Sequence, residues 1–116
     1  MTDCYRVSLL MIEELKCVVP AVGRQDRDLA DQLRRAATSV VLNVAEGRLR
    51  QGGDQRRSFQ LAAGSGNEVK AALDIAETWG WVRASPELRS YVERLLAMLW
   101  RMTHPRVSSA APTGAR

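Results

Sequence analysis

At 116 residues and a formal net charge of +4, the chain is sized for one domain that buries only about two thirds of its unfolded surface. No apolar run approaches the roughly 18 residues that span a bilayer and no charged-then-apolar leader opens the chain, so a membrane role is excluded and a reducing cytoplasm is the expected compartment. Nearly all the positive charge is arginine, Lys16 and Lys70 being the lysines, which suits either an acidic partner or plain solubility.

Residues 3–19 predict a first helix: Cys4, Met11, Leu15, Val18 and Val22 fall at spacings near three and four, beside a second row of Tyr5, Leu9, Ile12 and Val19. Pro20 is expected to stop it, lacking a backbone donor and disfavouring the α region before it. On such a helix Cys4 and Cys17 stand about 20 Å apart and cannot bridge each other. Gly23 to Asp26 form a polar turn, and Asp26 or Asp28 can cap a second helix over Arg27–Glu46. Gly47 is expected to close that helix in a left-handed C-cap.

The second helix carries two seams. Leu29, Leu33, Ala36, Ala37, Val40 and Val44 form an apolar arc, and Asp28, Gln32, Arg35, Ser39, Asn43 and Glu46 line the other side. Arg48 to Asp54 read as a loop, with Asp54 the expected cap of a third helix of about 25 residues that ends where Gly80 separates Trp79 from Trp81. Ser85-Pro86 pairs a capping side chain with proline at the first helical position, and the fourth helix runs to about Thr103. His104-Pro105 ends the domain, taken as residues 1–104, and residues 105–116 are expected to be a disordered tail. Four amphipathic helices with short connections predict an all-α, antiparallel up-and-down four-helix bundle.

The fourth helix spreads its apolar residues over roughly 200°, about twice what one core requires. The third helix is double as well, with a core row of Phe59, Ala62, Val69, Leu73 and Ala76 and a second row of Leu61, Ala72, Ile75 and Trp79. Apolar surface of this extent marks association, so a homo-oligomer is expected, with Leu61, Ile75, Trp79, Leu96 and Trp100 as candidate interface residues. Arg34, Arg35, Asn43, Glu46, Ser65 and Glu68 form a candidate structural polar cluster, in which a buried Glu68 would need an arginine from the second helix.

Arg48, Arg50, Arg56 and Arg57 surround the Gly52-Gly53 loop, with Arg34 and Arg35 as further candidates for contacting nucleic-acid phosphates through their planar forks. No aromatic residue interleaves with them in sequence, which speaks against a base-stacking platform there. Nothing declares a reaction or a cofactor. His104 has no metal-ligating companions and the two cysteines lack zinc spacing. Gly52-Gly53 is not followed by the Lys-Ser or Lys-Thr of a phosphate loop. Gly64-Ser65-Gly66 lies within a helical pattern rather than at a strand-to-helix elbow, and Glu46 with Glu68 lacks the histidines of a di-metal bundle.

Leu33-Arg34-Arg35-Ala36-Ala37, Ser39-Val40, Asn43-Val44-Ala45-Glu46-Gly47, Phe59, Ala63-Gly64-Ser65 and Glu68-Val69 together resemble a bacterial four-helix-bundle family first noticed as reading frames in intervening sequences of 23S ribosomal RNA genes. The accessory variability determinant of diversity-generating retroelements is a relative. The resemblance covers residues 29 to about 102, and it implies a homopentamer with a basic surface suspected of binding nucleic acid and, in the retroelement relatives, an association with reverse transcriptase. The chain departs from the pattern at its amino terminus, which lacks the usual Phe- and Trp-containing entry, and at Arg48-Leu49-Arg50, where aromatic and small residues are frequent. Two functions follow: a non-enzymatic oligomeric accessory protein contacting RNA or DNA, or a scaffold that binds another protein and no nucleic acid.

Overall fold

A computed structural model describes residues 2–104, so the expected tail over 105–116 lies outside the described residues. Among those described there are four helices and no strand: α1 (Thr2–Gly23), α2 (Arg27–Arg48), α3 (Gly52–Thr78) and α4 (Pro86–Thr103). Each helix packs on two neighbours, α1 and α3 both lying against α2 and against α4. The core between them is aliphatic. Met11, Leu33, Val40, Leu73, Leu88, Leu95 and Leu99 are fully buried, with alanines at Ala36, Ala37, Ala62 and Ala76 setting a close helix spacing.

Three helix ends follow from local chemistry. The Asp26 side chain accepts from the Leu29 N–H at 3.0 Å and caps α2. Ser85 accepts from the Leu88 N–H at 3.0 Å and caps α4, with Pro86 in the first turn. At the end of α3 the Gly80 N–H donates to the Glu77 carbonyl and the Trp81 N–H to the Ala76 carbonyl, both at 2.9 Å, with Gly80 at φ +81°. That pair of bonds is a Schellman closure, and it requires the left-handed residue that glycine supplies.

Three expectations are corrected. Pro20 does not stop α1, which continues to Gly23. Pro20 sits on the solvent side of the last turns, and the bond it forfeits is offset by the burial of Val22, which the extra turn carries into the core. Gly47 is not a left-handed cap, because α2 runs through it to Arg48 and Gly47 is buried. Glycine is needed there for room: a Cβ on Gly47 would lie 2.5 Å from a ring carbon of Phe59. Asp54 is not the cap of α3 either. The N-cap is Gln51, with no side-chain bond, and Gln55 instead donates through Nε2 to the carbonyls of Gly47 (3.0 Å) and Arg50 (3.1 Å), tying the end of α2 to the start of α3.

Candidate nucleic-acid interface

The short link between α2 and α3 places Arg48, Arg50, Arg56 and Arg57 at one end of the molecule, all exposed. Their surroundings differ. Arg50 donates from Nε to Glu46 at 2.6 Å, one turn back on α2, and is neutralised. Arg48 lies over the Tyr5 ring with its guanidinium carbon 4.1 Å from the centroid, so an aromatic face orients it without cancelling its charge. Arg56 and Arg57 form no ion pair among the described residues. The same end receives the start of α1 and the end of α4, since Asp3 and Cys4 share a surface hollow with Arg101 and Met102.

Arg34 and Arg35 are not part of this patch. They sit mid-way along α2, Arg35 being 13 residues before Arg48, about 20 Å along the axis. Arg34 reaches toward Asp31 at 4.0 Å, one turn back on its own helix. Two surfaces are therefore present where the sequence suggests one.

The polar cluster between α2 and α3 is smaller than expected and is built on a different residue. Ser65 donates to the Ser39 hydroxyl at 2.8 Å across the two helices, and Asn43 donates from Nδ2 to the Ser39 carbonyl at 2.9 Å and its hydroxyl at 3.1 Å. Glu68 is exposed and pairs with no arginine among the described residues, and Glu46 turns outward to Arg50. The expected buried Glu68–arginine pair does not form among the described residues. On the 3.6-residue period Glu68 falls on the outward row of α3 with Leu61, Ile75 and Trp79, beyond the flank that touches α2.

Of the candidate interface residues, Leu61 (53% exposed), Ile75 (45%), Trp79 (67%) and Trp100 (59%) are bare in the single chain. Leu96 is half-buried and packs over Gly66, where a Cβ would come within 3.0 Å of a Leu96 methyl. The second flank of α4 is mostly covered by the bundle itself: Tyr91, Leu96, Met98 and Met102 all pack on the core, leaving Trp100 outside. Leu42, 64% exposed, was missed as a surface residue. The signal was available, since it is a large apolar side chain among the polar residues Ser39, Asn43 and Glu46 of α2.

The connection from α3 to α4 is latched by charge. Glu77 accepts from the Ala84 N–H at 2.7 Å and from Arg89, and Arg89 also holds Asp74 at 2.9 Å. The bond from the Ala84 N–H, then that from Arg89, keeps the Glu77 carboxyl below its ordinary pKa. Both cysteines are free, Cys4 buried and Cys17 exposed, and burial pushes the Cys4 thiol upward. No described helix is long and apolar enough to cross a membrane.

A family model for the 23S rRNA-intervening sequence protein matches residues 5–101. The chain belongs to that family. Comparison with curated proteins and with solved structures gives no match. The 23S rRNA-intervening sequence family match takes in α2 and α3 whole and most of α1 and α4, with the Ser39–Asn43–Ser65 seam and the four arginines around the α2–α3 link, and it ends before Met102, Thr103 and His104.

Proposed function

We propose that this chain is a non-enzymatic, homo-oligomeric accessory protein whose arginine-rich end holds the phosphate backbone of RNA or DNA. The observation that carries the reading is the α2–α3 link, where Arg56 and Arg57 are exposed with no ion pair among the described residues and Arg48 rests on the Tyr5 ring. With Arg6 and Arg101 from the adjoining helix ends, six arginines gather there against Asp3, Glu46 and Asp54. Such an excess favours polyanions, and guanidinium forks favour phosphate oxygens. The Arg48–Tyr5 and Ser39–Ser65 contacts, with three-residue turns after α1 and α2, support an antiparallel up-and-down arrangement that puts these ends together.

Assembly would multiply the patch. Leu61, Ile75 and Trp79 lie along one outward row of α3, and Leu42 and Leu61 each stand one turn from the Ser39–Ser65 bond. This row is the surface we assign to copies of the chain, five by family resemblance, in the cytoplasm. A second reading, a scaffold for another protein such as a reverse transcriptase, is favoured by the apolar hollow between α1 and α2 lined by Ile12, Leu15, Val19 and Ala37.

Gel-shift across a salt series separates the two. Binding to RNA or DNA should weaken steeply with salt, and replacing Arg48, Arg50, Arg56 and Arg57 by Gln should reduce the slope of log K against log salt by about one per lost phosphate contact. Retention that is equal in the variant would overturn the arginine assignment. Absence of retention at moderate salt in the wild type would favour the scaffold.

A further inference from the structure

Resting on that reading of the arginine-rich end, we propose that the groove between the first half of α3 and the end of α4 seats an unpaired base of single-stranded RNA, with Trp100 as the stacking platform. The indole is 59% exposed and lies almost parallel to the His104 ring, 4.4 Å between centroids and 8° between planes. The imidazole is itself held. His104 Nδ1 lies 3.1 Å from the Trp100 carbonyl and 3.1 Å from the Thr103 hydroxyl, and the His104 N–H donates to the Trp100 carbonyl at 2.8 Å. A large, mostly exposed aromatic side chain already stacked on one ring loses little freedom when a base settles on it.

The far wall of the groove belongs to α3. Gln60 and Asn67 line it with carboxamides that are exposed and bond to nothing among the described residues, each offering donors and an acceptor to a base edge or a ribose hydroxyl. Gly64 keeps the wall low between them, since a Cβ there would meet nothing within 4 Å. Arg56 and Arg57 lie one turn before Gln60, exposed and without an ion pair among the described residues, where the phosphates flanking a stacked base would run. Along the sequence no aromatic residue falls among these arginines. The fold supplies one from α4.

This combination selects an unpaired strand, because duplex bases hide their faces, and it selects RNA through the 2′-hydroxyl within reach of two free carboxamides. It also assigns Trp100 to ligand rather than to the subunit interface. Leu61, Ile75 and Trp79 lie on the other side of α3 and are unaffected.

The test is fluorescence anisotropy of the full-length protein with a fluorescein-labelled single-stranded RNA of roughly twelve nucleotides and mixed sequence. Trp100→Ala should weaken binding about 5- to 150-fold, the range that base–aromatic stacking gives on truncation, with the salt slope unchanged. Trp100→Phe should retain most of the affinity, and Gln60→Ala with Asn67→Ala should lose part of it. Wild-type affinity in Trp100→Ala would overturn the stacking site alone, and so would a change in its sedimenting mass, which would return Trp100 to the subunit interface. Equal affinity for DNA of the same sequence would overturn the assignment to RNA. If the wild type holds no RNA at low salt, the reading of the arginine-rich end falls with it.

Discussion

Replacing Gly47 by alanine sets two effects of known size against each other. In the interior of an exposed helix the change should stabilise by up to about 1 kcal/mol, because glycine carries the largest backbone entropy cost. At Gly47 the new methyl would meet three carbons of the Phe59 ring at 2.5, 2.8 and 3.0 Å, and Phe59 is itself a core residue, 2% exposed. Overpacking of this kind costs about 1–3 kcal/mol, so after the glycine term is subtracted a net loss of up to about 2 kcal/mol is expected. In a domain of this size that lowers Tm by up to about 15 °C. The assay is thermal unfolding followed by circular dichroism at fixed protein concentration. Gly64→Ala serves as the counterpart, since nothing stands within 4 Å of its Cβ and Tm should hold or rise by a few degrees. A double-mutant cycle with Phe59→Leu should recover part of the Gly47→Ala loss. If Gly47→Ala melts at or above the wild type, the close approach of α2 and α3 at this point is wrong.

Two further predictions concern the bonds between elements. Glu77→Ala leaves the Ala84 N–H and Arg89 without their shared carboxylate and should cost about 1–2 kcal/mol at neutral pH, less than a fully buried charged bond because part of the side chain meets water. Glu77 is held below its ordinary value of 4.5 in the folded chain, so its contribution is complete above about pH 4.5 and is lost as the pH falls through the depressed value. Denaturant unfolding of both proteins as a function of pH should show the gap closing on acidification, and a gap that widens would contradict the assignment. Ser65→Ala removes the 2.8 Å hydroxyl bond to Ser39 and should cost about 0.5–1.5 kcal/mol by urea denaturation. No change in the midpoint would show that water substitutes for it freely.

The parts of the fold legible in sequence are those decided within one turn of chain. Asp26, Ser85-Pro86 and Gly80 act on backbone groups three to five residues away, and their chemistry is written beside the groups they satisfy. Gly47 misleads because its reason lies in Phe59, on another helix. Pro20 misleads because its local penalty is outweighed by the burial of Val22, a tertiary gain. The polar seam shows the same limit. Periodicity places Ser39, Asn43 and Ser65 on compatible flanks, yet which residues of α3 touch α2 depends on a rotation of α3 that leaves Glu68 outside. Arg34 and Arg35 share a residue type with the loop arginines and not a location, a distinction that only helix length reveals. Trp100 and His104 lie at the end of α4, and nothing within that helix indicates the carboxamides of Gln60 and Asn67 opposite them.

Everything proposed for the charged end gains force from repetition, and repetition depends on copies covering the row of Leu61, Ile75 and Trp79. Sedimentation velocity of the wild-type protein at micromolar concentration, beside a Leu61→Glu, Ile75→Glu variant, measures this most directly. The account predicts a single species at about five times the 12.9 kDa chain mass for the wild type and a folded, slowly sedimenting monomer for the variant, because two further carboxylates beside Glu68 replace the apolar contacts of that row and add like charge to it. A wild-type protein that sediments as a stable monomer would contradict it.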